Sequence, residues 1–344
     1  MAFATINKPN TYFNTVLYTG NDSTQTITGV GFQPDLWWNK SRSGTHSAGV
    51  HCLYDSVRGT TKRLKSNSTD AEATISGVTA FNADGVTLGS ENQSNGGSTE
   101  YVAWNWKANG TGVSNTAGTI SSTVSANTTS GFSIVSYTGT GANATVGHGL
   151  GVVPKMYMVK CRSTTGDWRV YTATTGNTGV LFLNDVSASV TQANMWNSTT
   201  PTSSVFSLGT NANGNSSGAT YIAYCFAEVK GYSKFGSYTG NGSTDGTFVY
   251  TGFKPKFFLV KRTDTTNSWT ITNSSNQSYN QADTFLLADS SQAESTATSV
   301  DYLSNGVKIR STGAWGNASG GTYIYMAFAE QPLVGTNNVP ATAR

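Results

Sequence analysis

The chain has 344 residues, of which 37% are hydrophobic and only 11% are charged, against about 25% charged residues in an ordinary soluble domain. Its 21 basic and 18 acidic residues give a net charge of +3, too balanced for the concentrated basic face that binds nucleic acid. Aromatic residues reach 11%, which excludes disorder as the overall state.

The start of the chain lacks the basic and then apolar pattern of a signal peptide. Nowhere does the sequence approach the roughly 20 apolar residues of a membrane helix. We therefore expect neither signal-peptide export nor membrane insertion. Cys52, Cys161 and Cys225 are far apart and odd in number, so we expect free thiols and no disulfide framework.

Three landmarks recur three times in the same order, which indicates internal repeats. They are a Tyr-Thr-Gly tripeptide, a proline before an apolar run, and an alternating stretch that begins Thr-Glu-Tyr or Thr-Tyr. The tyrosine of the tripeptide moves by 119 residues from the first copy to the second (18 to 137) and by 101 to the third (137 to 238). The longer first period predicts an extra segment between the first two repeats.

The extra segment between the first two repeats is a predicted linker. The extra segment contains Ser, Thr, Gly and Asn with few large apolar residues, a composition typical of flexible connections. We therefore expect the second and third repeats to pack closely and the first to take its own angle. In chain order the sequence therefore predicts six segments, which are an N-terminal segment (1–12), a first repeat (13–108), a linker (109–131), a second repeat (132–229), a third repeat (230–332) and a C-terminal tail (333–344).

Within each repeat the apolar residues alternate with a period of two, the pattern of strands. Val102, Trp104 and Trp106 share one face of a predicted strand, and the residues between them share the other. The dipeptides Asp84-Gly85 and Asn305-Gly306 favour tight hairpins. This pattern predicts an all-β protein of three tandem β-sandwich or jelly-roll-like domains of about 100 residues each.

No chemical motif recurs between the repeats. His46, His51 and Cys52 match a zinc site only weakly, and the carboxylates of the first and third repeats form no shared acidic motif. Capping of turns and salt bridges explain those carboxylates, so the sequence predicts no catalytic, cofactor or metal site.

Several aromatic residues are candidates for contacts with partners. Alternation places Trp38 in a core and turns Trp37 the other way, while Trp196 and Trp315 lie in Ser-, Asn- and Gly-rich stretches. We predict that Trp37, Trp196 and Trp315 contact a ligand or a neighbouring subunit. The N-terminal segment carries a candidate anchor formed by Phe3, Ile6 and Phe13.

The stretches YFNTVLYTGNDSTQTITGVGFQPDLWWNKSR, FNADGVTLG, GFSIVSYTGTGANATVGHGLGVVPK and PLVGTNNVPATAR resemble an uncharacterised repeat family of virion structural proteins in marine bacteriophages, cyanophages among them. The resemblance covers nearly the whole chain and supplies no catalytic residues. It implies a virion protein that is assembled in the host cytoplasm and is extracellular after lysis.

The resemblance and the repeats together predict a non-enzymatic decoration or fibre-like component on the capsid or tail. We expect its partners to be other virion proteins and further copies of itself, as in a trimer, with no nucleic acid. A carbohydrate-binding adhesin or tail fibre protein for host attachment, with a host surface glycan as ligand, is the alternative. A polysaccharide depolymerase, which needs two converging carboxylates, is the third hypothesis.

Overall fold

A computed structural model describes residues 4–46, 48–277, 279–334 and 340–342, apart from the side chains of residues 298 and 299. Strands dominate this part of the chain, with two four-residue α-helices and one short 3-10 turn beside them. The predicted all-β fold is confirmed. Among the described residues, no helix is long and apolar enough to cross a membrane.

The first repeat follows a 3-10 turn at Pro9–Thr11 and forms two main antiparallel sheets, with strand orders β1-β9-β3-β4 and β2-β8-β7, and a small sheet β5-β6. Its elements are β1 (Phe13–Thr19), β2 (Gln25–Ile27), β3 (Leu36–Gly44), β4 (Cys52–Asp55), β5 (Lys62–Arg63), β6 (Ala73–Thr74), β7 (Val78–Asn82), β8 (Gly85–Leu88), α1 (Asn92–Asn95) and β9 (Thr99–Trp106).

The second repeat forms an eight-stranded sheet of order β10-β11-β12-β19-β14-β15-β16-β17 and a two-stranded sheet β13-β18. Its elements are β10 (Val113–Asn115), β11 (Ser122–Asn127), β12 (Phe132–Thr138), β13 (Ala144–Gly147), β14 (Met156–Cys161), β15 (Arg169–Thr172), β16 (Gly179–Phe182), β17 (Val190–Thr191), β18 (Val205–Leu208), α2 (Ala212–Asn215) and β19 (Thr220–Phe226).

The third repeat forms one eight-stranded sheet of order β20-β27-β22-β23-β24-β25-β26-β21. Its strands are β20 (Ser233–Thr239), β21 (Phe248–Tyr250), β22 (Phe253–Arg262), β23 (Trp269–Asn273), β24 (Ala282–Leu287), β25 (Ser295–Leu303), β26 (Gly306–Ile309) and β27 (Thr322–Pro332).

All three repeats contain the same four-stranded antiparallel unit, which we call the repeat unit. Its strand order is β1-β9-β3-β4 in the first repeat, β12-β19-β14-β15 in the second and β20-β27-β22-β23 in the third. In each unit the first strand pairs with the last strand of the repeat, and the paired residues are 81 to 95 positions apart in the chain. The repetition in sequence is therefore a repetition of strand topology.

The recurrent Tyr-Thr-Gly tripeptide has a structural cause in this pairing. Its tyrosine stacks on the tyrosine that faces it in the last strand, with ring centroids 4.9, 5.1 and 5.0 Å apart in the three repeats. Its glycine lies so close to the backbone just before the last strand that a Cβ on Gly20 would meet the carbonyl oxygen of Gly96 at 2.1 Å. Only glycine fits such an approach, so the tripeptide recurs with the fold.

Both faces of each repeat unit are buried. In β9, Val102, Trp104 and Trp106 point into a central hydrophobic core, while Ala103 points into an outer core that lies between the unit and strands β2, β7 and β8. The alternation predicted for this strand is thus confirmed. Because the second face is also covered, both sets of side chains lie away from solvent.

The three repeats share the central core. Trp106, Phe226 and Phe328 occupy equivalent positions in the three last strands, and their ring centroids are 6.1, 5.5 and 6.0 Å apart in pairs. We call these residues the central triangle. Because each repeat contributes one corner, the repeats surround a common centre, and the expectation that the first repeat takes its own angle is wrong.

The predicted linker, residues 109–131, contains two strands. β11 pairs with β12 over six residues, from Ser122 opposite Tyr137 to Asn127 opposite Phe132. Val124 is buried in the outer core of the second repeat. The composition resembles a linker because the strand alternates Ser and Thr with single small apolar residues, a pattern that also suits a half-buried strand.

Candidate functional site

The interfaces between repeats use one set of contacts three times. The indole Nε1 of Trp168 donates to the carbonyl oxygen of Lys65 in the first repeat, at 2.7 Å. The equivalent Trp269 donates to the carbonyl oxygen of Phe182 in the second repeat, also at 2.7 Å. The second repeat thus contacts the first, and the third contacts the second.

His51 makes the same contact from the first repeat to the third. Its Nδ1 lies 2.9 Å from Trp38 Nε1, an obligatory donor, so Nδ1 accepts and Nε2 carries the proton. Nε2 then donates to the carbonyl oxygen of Leu287 at 2.9 Å. Burial holds the pKa of His51 well below its usual value, consistent with a neutral ring. This third contact closes the ring of repeats. Because both ring nitrogens of His51 are hydrogen-bonded within the protein, His51 is not available as a zinc ligand.

A buried lysine crosses each interface as well. Nζ of Lys160 donates to Thr69 O at 3.2 Å, and Nζ of Lys261 donates to Val186 O at 2.8 Å. Lys40 reaches Ser291 O at 3.4 Å. Burial lowers the pKa of each of these lysines to about 8, because removal from water disfavours the charged amine. The carbonyl oxygens of the neighbouring repeat supply the hydrogen bonds that such an amine needs.

Two interfaces add an arginine and glutamate pair. Arg42 contacts Glu294 at 2.7 Å, and Arg162 contacts Glu72 at 2.9 Å. At the third interface the equivalent Arg262 pairs with Asp264 of its own repeat. Sequence reasoning missed these contacts, although a signal existed, since a lysine shortly before an arginine recurs in NKSR, VKCR and VKR.

The first repeat has one feature of its own in the DSVRG segment. Arg58 is fully buried and pairs with Asp55 and Glu72, and it donates to the hydroxyl of Tyr224 in the second repeat at 3.2 Å. Tyr224 in turn donates to Asp55 at 2.7 Å. The carboxylates considered for catalysis at these positions are therefore engaged in an interface network.

The tryptophans predicted to contact partners lie elsewhere than expected. Trp37 is fully buried in the outer core of the first repeat and donates to Asn39 Oδ1 at 3.1 Å. Trp196 is fully buried in the second repeat and donates to Gly179 O at 3.1 Å. The prediction of surface contact is wrong for both, because each unit is covered by an outer core. Trp315 is half-buried against the outer core of the third repeat.

The candidate anchor is also part of the fold. Ile6 and Phe13 are buried in the central core, and the backbone N–H of Thr5 donates to Lys230 O at 3.0 Å. Phe3 lies outside the described residues. For Ile6 and Phe13 the anchoring prediction is wrong, because both pack within their own chain.

A groove of about 480 Å³ lies between the second and third repeats, and we call it the hydroxyl groove. All nine side chains that line it carry a hydroxyl group and none is charged. The third repeat supplies Ser237, Tyr238 and Thr239 of β20, and the second supplies Thr174 and Thr175. Its chemistry suits an uncharged ligand that exchanges hydrogen bonds.

A second cavity, of about 240 Å³, combines charges with an aromatic ring. Lys234 pairs with Glu228 at 2.7 Å along its wall. Tyr250, on β21, is 56% exposed and forms another part of the lining. An exposed ring beside charged groups can stack against a sugar while the charged groups bind its hydroxyls.

Among the described residues no cluster of three or more His, Cys, Asp or Glu side chains could hold a metal ion. The three cysteines are free and buried. A family model described as a domain of unknown function, DUF7483, matches residues 8–332, and therefore covers all three repeats. No curated protein and no solved structure matches the chain.

Proposed function

We propose that this chain, which belongs to the DUF7483 family, is a non-enzymatic structural protein of a bacteriophage particle. In this proposal it is a decoration or fibre-like component on the surface of the capsid or tail. Its partners are other virion proteins and further copies of the chain. It is assembled in the host cytoplasm and becomes extracellular on lysis.

The residues that the three repeats have in common carry this proposal. These are the stacked tyrosines, the central triangle, and the aromatic N–H groups and lysines that donate hydrogen bonds across the interfaces. All of these contacts hold the three repeats together in one frame. A frame of three related units suits a partner surface that itself has threefold symmetry, because each unit then meets a related site.

The test is the composition of the particle. Virions of a phage that encodes the chain would be purified by density gradient, analysed by mass spectrometry and imaged by cryo-electron microscopy. We expect the chain at a fixed copy number per particle and as resolved density on the capsid or tail. Absence from purified virions, while the chain is abundant in the lysate, would contradict the proposal.

A carbohydrate-binding adhesin is the second candidate, and the cavity at Tyr250 favours it. Phe248 and Tyr250 are two residues apart on β21, so they share a face, and they are 40% and 56% exposed. Exposed aromatic rings are the surface on which sugars stack. Trp37 and Trp196, which the sequence predicts to contact a ligand, are buried and form no part of this surface.

Glycan arrays and host polysaccharides test the adhesin proposal. We expect binding by the intact chain and its loss in Tyr250→Ala. Tyr279→Ala is the matched control, since Tyr279 is 79% exposed and is not among the residues that line the cavity. Equal loss in both variants, or no binding to any host glycan, would count against the adhesin.

A further inference from the structure

The first strand of each repeat unit lies at one edge of that unit, and among the described residues a further strand pairs with that edge in the second repeat alone. In the second repeat β11 pairs with six of the seven residues of β12, from Phe132 to Tyr137. The equivalent strand of the third repeat, β20, pairs with β27 on one side. Within the part of the chain that the structure describes, no strand pairs with the other side of β20.

The hydrogen-bond pattern identifies which backbone groups point outward from β20. Gly240 N–H donates to Gly321 O at 2.9 Å, and Ala329 N–H donates to Tyr232 O at 2.8 Å. Bonded and unbonded positions alternate in an antiparallel pair. The backbone N–H and C=O groups of the even-numbered residues of β20 therefore point toward β27. The N–H and C=O groups of Phe235 and Ser237 therefore point away from the sheet.

Ser237 has a covered counterpart in the second repeat, Ser136, which lies opposite Thr123 of β11. The covered edge and the open edge are lined alike. A surface groove at Ser136, Tyr137, Thr138 and Thr220 is completed there by residues of β10 and β11, and its volume is about 290 Å³. At Ser237 the hydroxyl groove holds about 480 Å³, and no strand of the described residues occupies that place.

The open edge of the first repeat differs. The outward N–H of Thr15 on β1 is bonded to the side chain of Asn14 at 3.0 Å, so that edge is partly closed by its own residue. On β20 the N–H of Phe235 lies 3.4 Å from Glu228 Oε2, a distance at the limit of a hydrogen bond. The outward backbone N–H and C=O groups of Ser237 are therefore the best placed to pair with a new strand.

We propose that the β20 edge binds an extended segment of a separate protein, which adds to the sheet as β11 adds to β12. Main-chain hydrogen bonds would supply the affinity, as in other cases of strand addition. The uncharged, hydroxyl-lined groove fits an uncharged segment that alternates Ser or Thr with small apolar residues, which is the character of residues 122–127. This inference does not depend on the chain being a virion protein.

A synthetic peptide of residues 119–129, with a fluorescent label, serves as the probe for the full chain. We expect saturable binding by fluorescence anisotropy and slower hydrogen exchange at the Ser237 amide when peptide is added. Ser237→Pro removes the outward N–H and should weaken binding at least about tenfold. Ser237→Ala keeps the N–H and should bind within about threefold of wild type, since strand addition depends on the main chain.

Three results would overturn the proposal. The first is no saturable binding together with unchanged exchange at Ser237. The second is equal affinity in Ser237→Pro, which would place the peptide elsewhere. The third is a concentration-dependent oligomer in sedimentation velocity that Ser237→Pro converts to monomer, which would assign the edge to a second copy instead of a separate protein.

Discussion

Buried charge is the main feature at the scale of single residues. Lys40, Lys160 and Lys261 have no exposed surface, yet each keeps an amine that is hydrogen-bonded to the neighbouring repeat. A buried amine weakens the fold where it must be charged and strengthens specificity where its partners are fixed. We therefore expect these residues to determine how the repeats dock more than how tightly they pack.

Lys160 predicts a pH dependence of stability. Its pKa is lowered to about 8 by burial, against about 10.4 in an unfolded chain. Between these values the unfolded state binds more protons, so this residue's contribution to stability rises with pH. Relative to Lys160→Met, wild type should gain up to about 3 kcal/mol in unfolding free energy between pH 7 and pH 10.

Urea unfolding of both proteins at four pH values would measure that gain, since contributions from other groups cancel in the difference. Lys261→Met, at the equivalent position, should show the same trend. A difference that stays constant with pH in both variants would mean that these lysines are not shifted in the folded state.

Asp55 predicts a large loss of stability. Its partner Arg58 has no exposed side-chain surface and would keep Glu72 as its one remaining ionic contact among the described residues. Removal of one partner from a buried ion pair destabilises a protein by about 3–5 kcal/mol. We expect Asp55→Asn to lower the unfolding free energy by about 3 kcal/mol or more. Asp264→Asn, which breaks the more exposed pair with Arg262, should cost about 1 kcal/mol or less. Thermal unfolding of both variants compares them, and similar costs would contradict the buried network.

Edge strands are the decisive features at the scale of elements. Serine occupies the same outward position in β12 and β20, but only Ser136 has a strand opposite it. Ser136→Pro should therefore cost about 2–3 kcal/mol, because it removes a ladder hydrogen bond and displaces β11. Ser237→Pro should cost less than about 1 kcal/mol, because proline is tolerated on an open edge. Chemical denaturation measures both, and an equal cost would mean that β20 is covered in solution.

The sequence predicts elements unevenly, and the reason is visible in particular residues. Alternation around Trp104 correctly separates two faces, because side chains in a strand alternate whatever surrounds them. The same alternation says nothing about what covers the second face, so Trp37 is predicted at the surface and is buried. β11 escapes prediction since STVSAN has the composition of a linker and becomes a strand through pairing with β12.

At the scale of the whole molecule, the three repeats form one hydrophobic unit. Contacts such as Trp168 to Lys65 O link side chains to backbone carbonyls of another repeat, and a carbonyl leaves no trace in the sequence. That is why repeat number could be predicted from the sequence and ring closure could not. The family match over residues 8–332 treats the three repeats as one unit as well.

The shared core predicts that the repeats do not fold independently. A chain that begins at residue 109 lacks Trp106 and leaves Phe226 and Phe328 facing water. We expect this fragment to bind a hydrophobic dye and to lack a sharp thermal transition, whereas the full chain should unfold in one cooperative step by calorimetry. A fragment that unfolds with the full chain's midpoint would show that the first repeat is dispensable.

The central triangle also has a consequence for dilution. Three separate copies that met around such a centre would fall apart as their concentration dropped, because the stability of an oligomer follows mass action. Here the three corners are Trp106, Phe226 and Phe328 of one covalent chain, so their encounter is intramolecular at every concentration. Because each corner is encoded at its own position in the chain, the three corners can differ from one another. One corner is a tryptophan and the other two are phenylalanines, a combination that a ring of identical subunits cannot form.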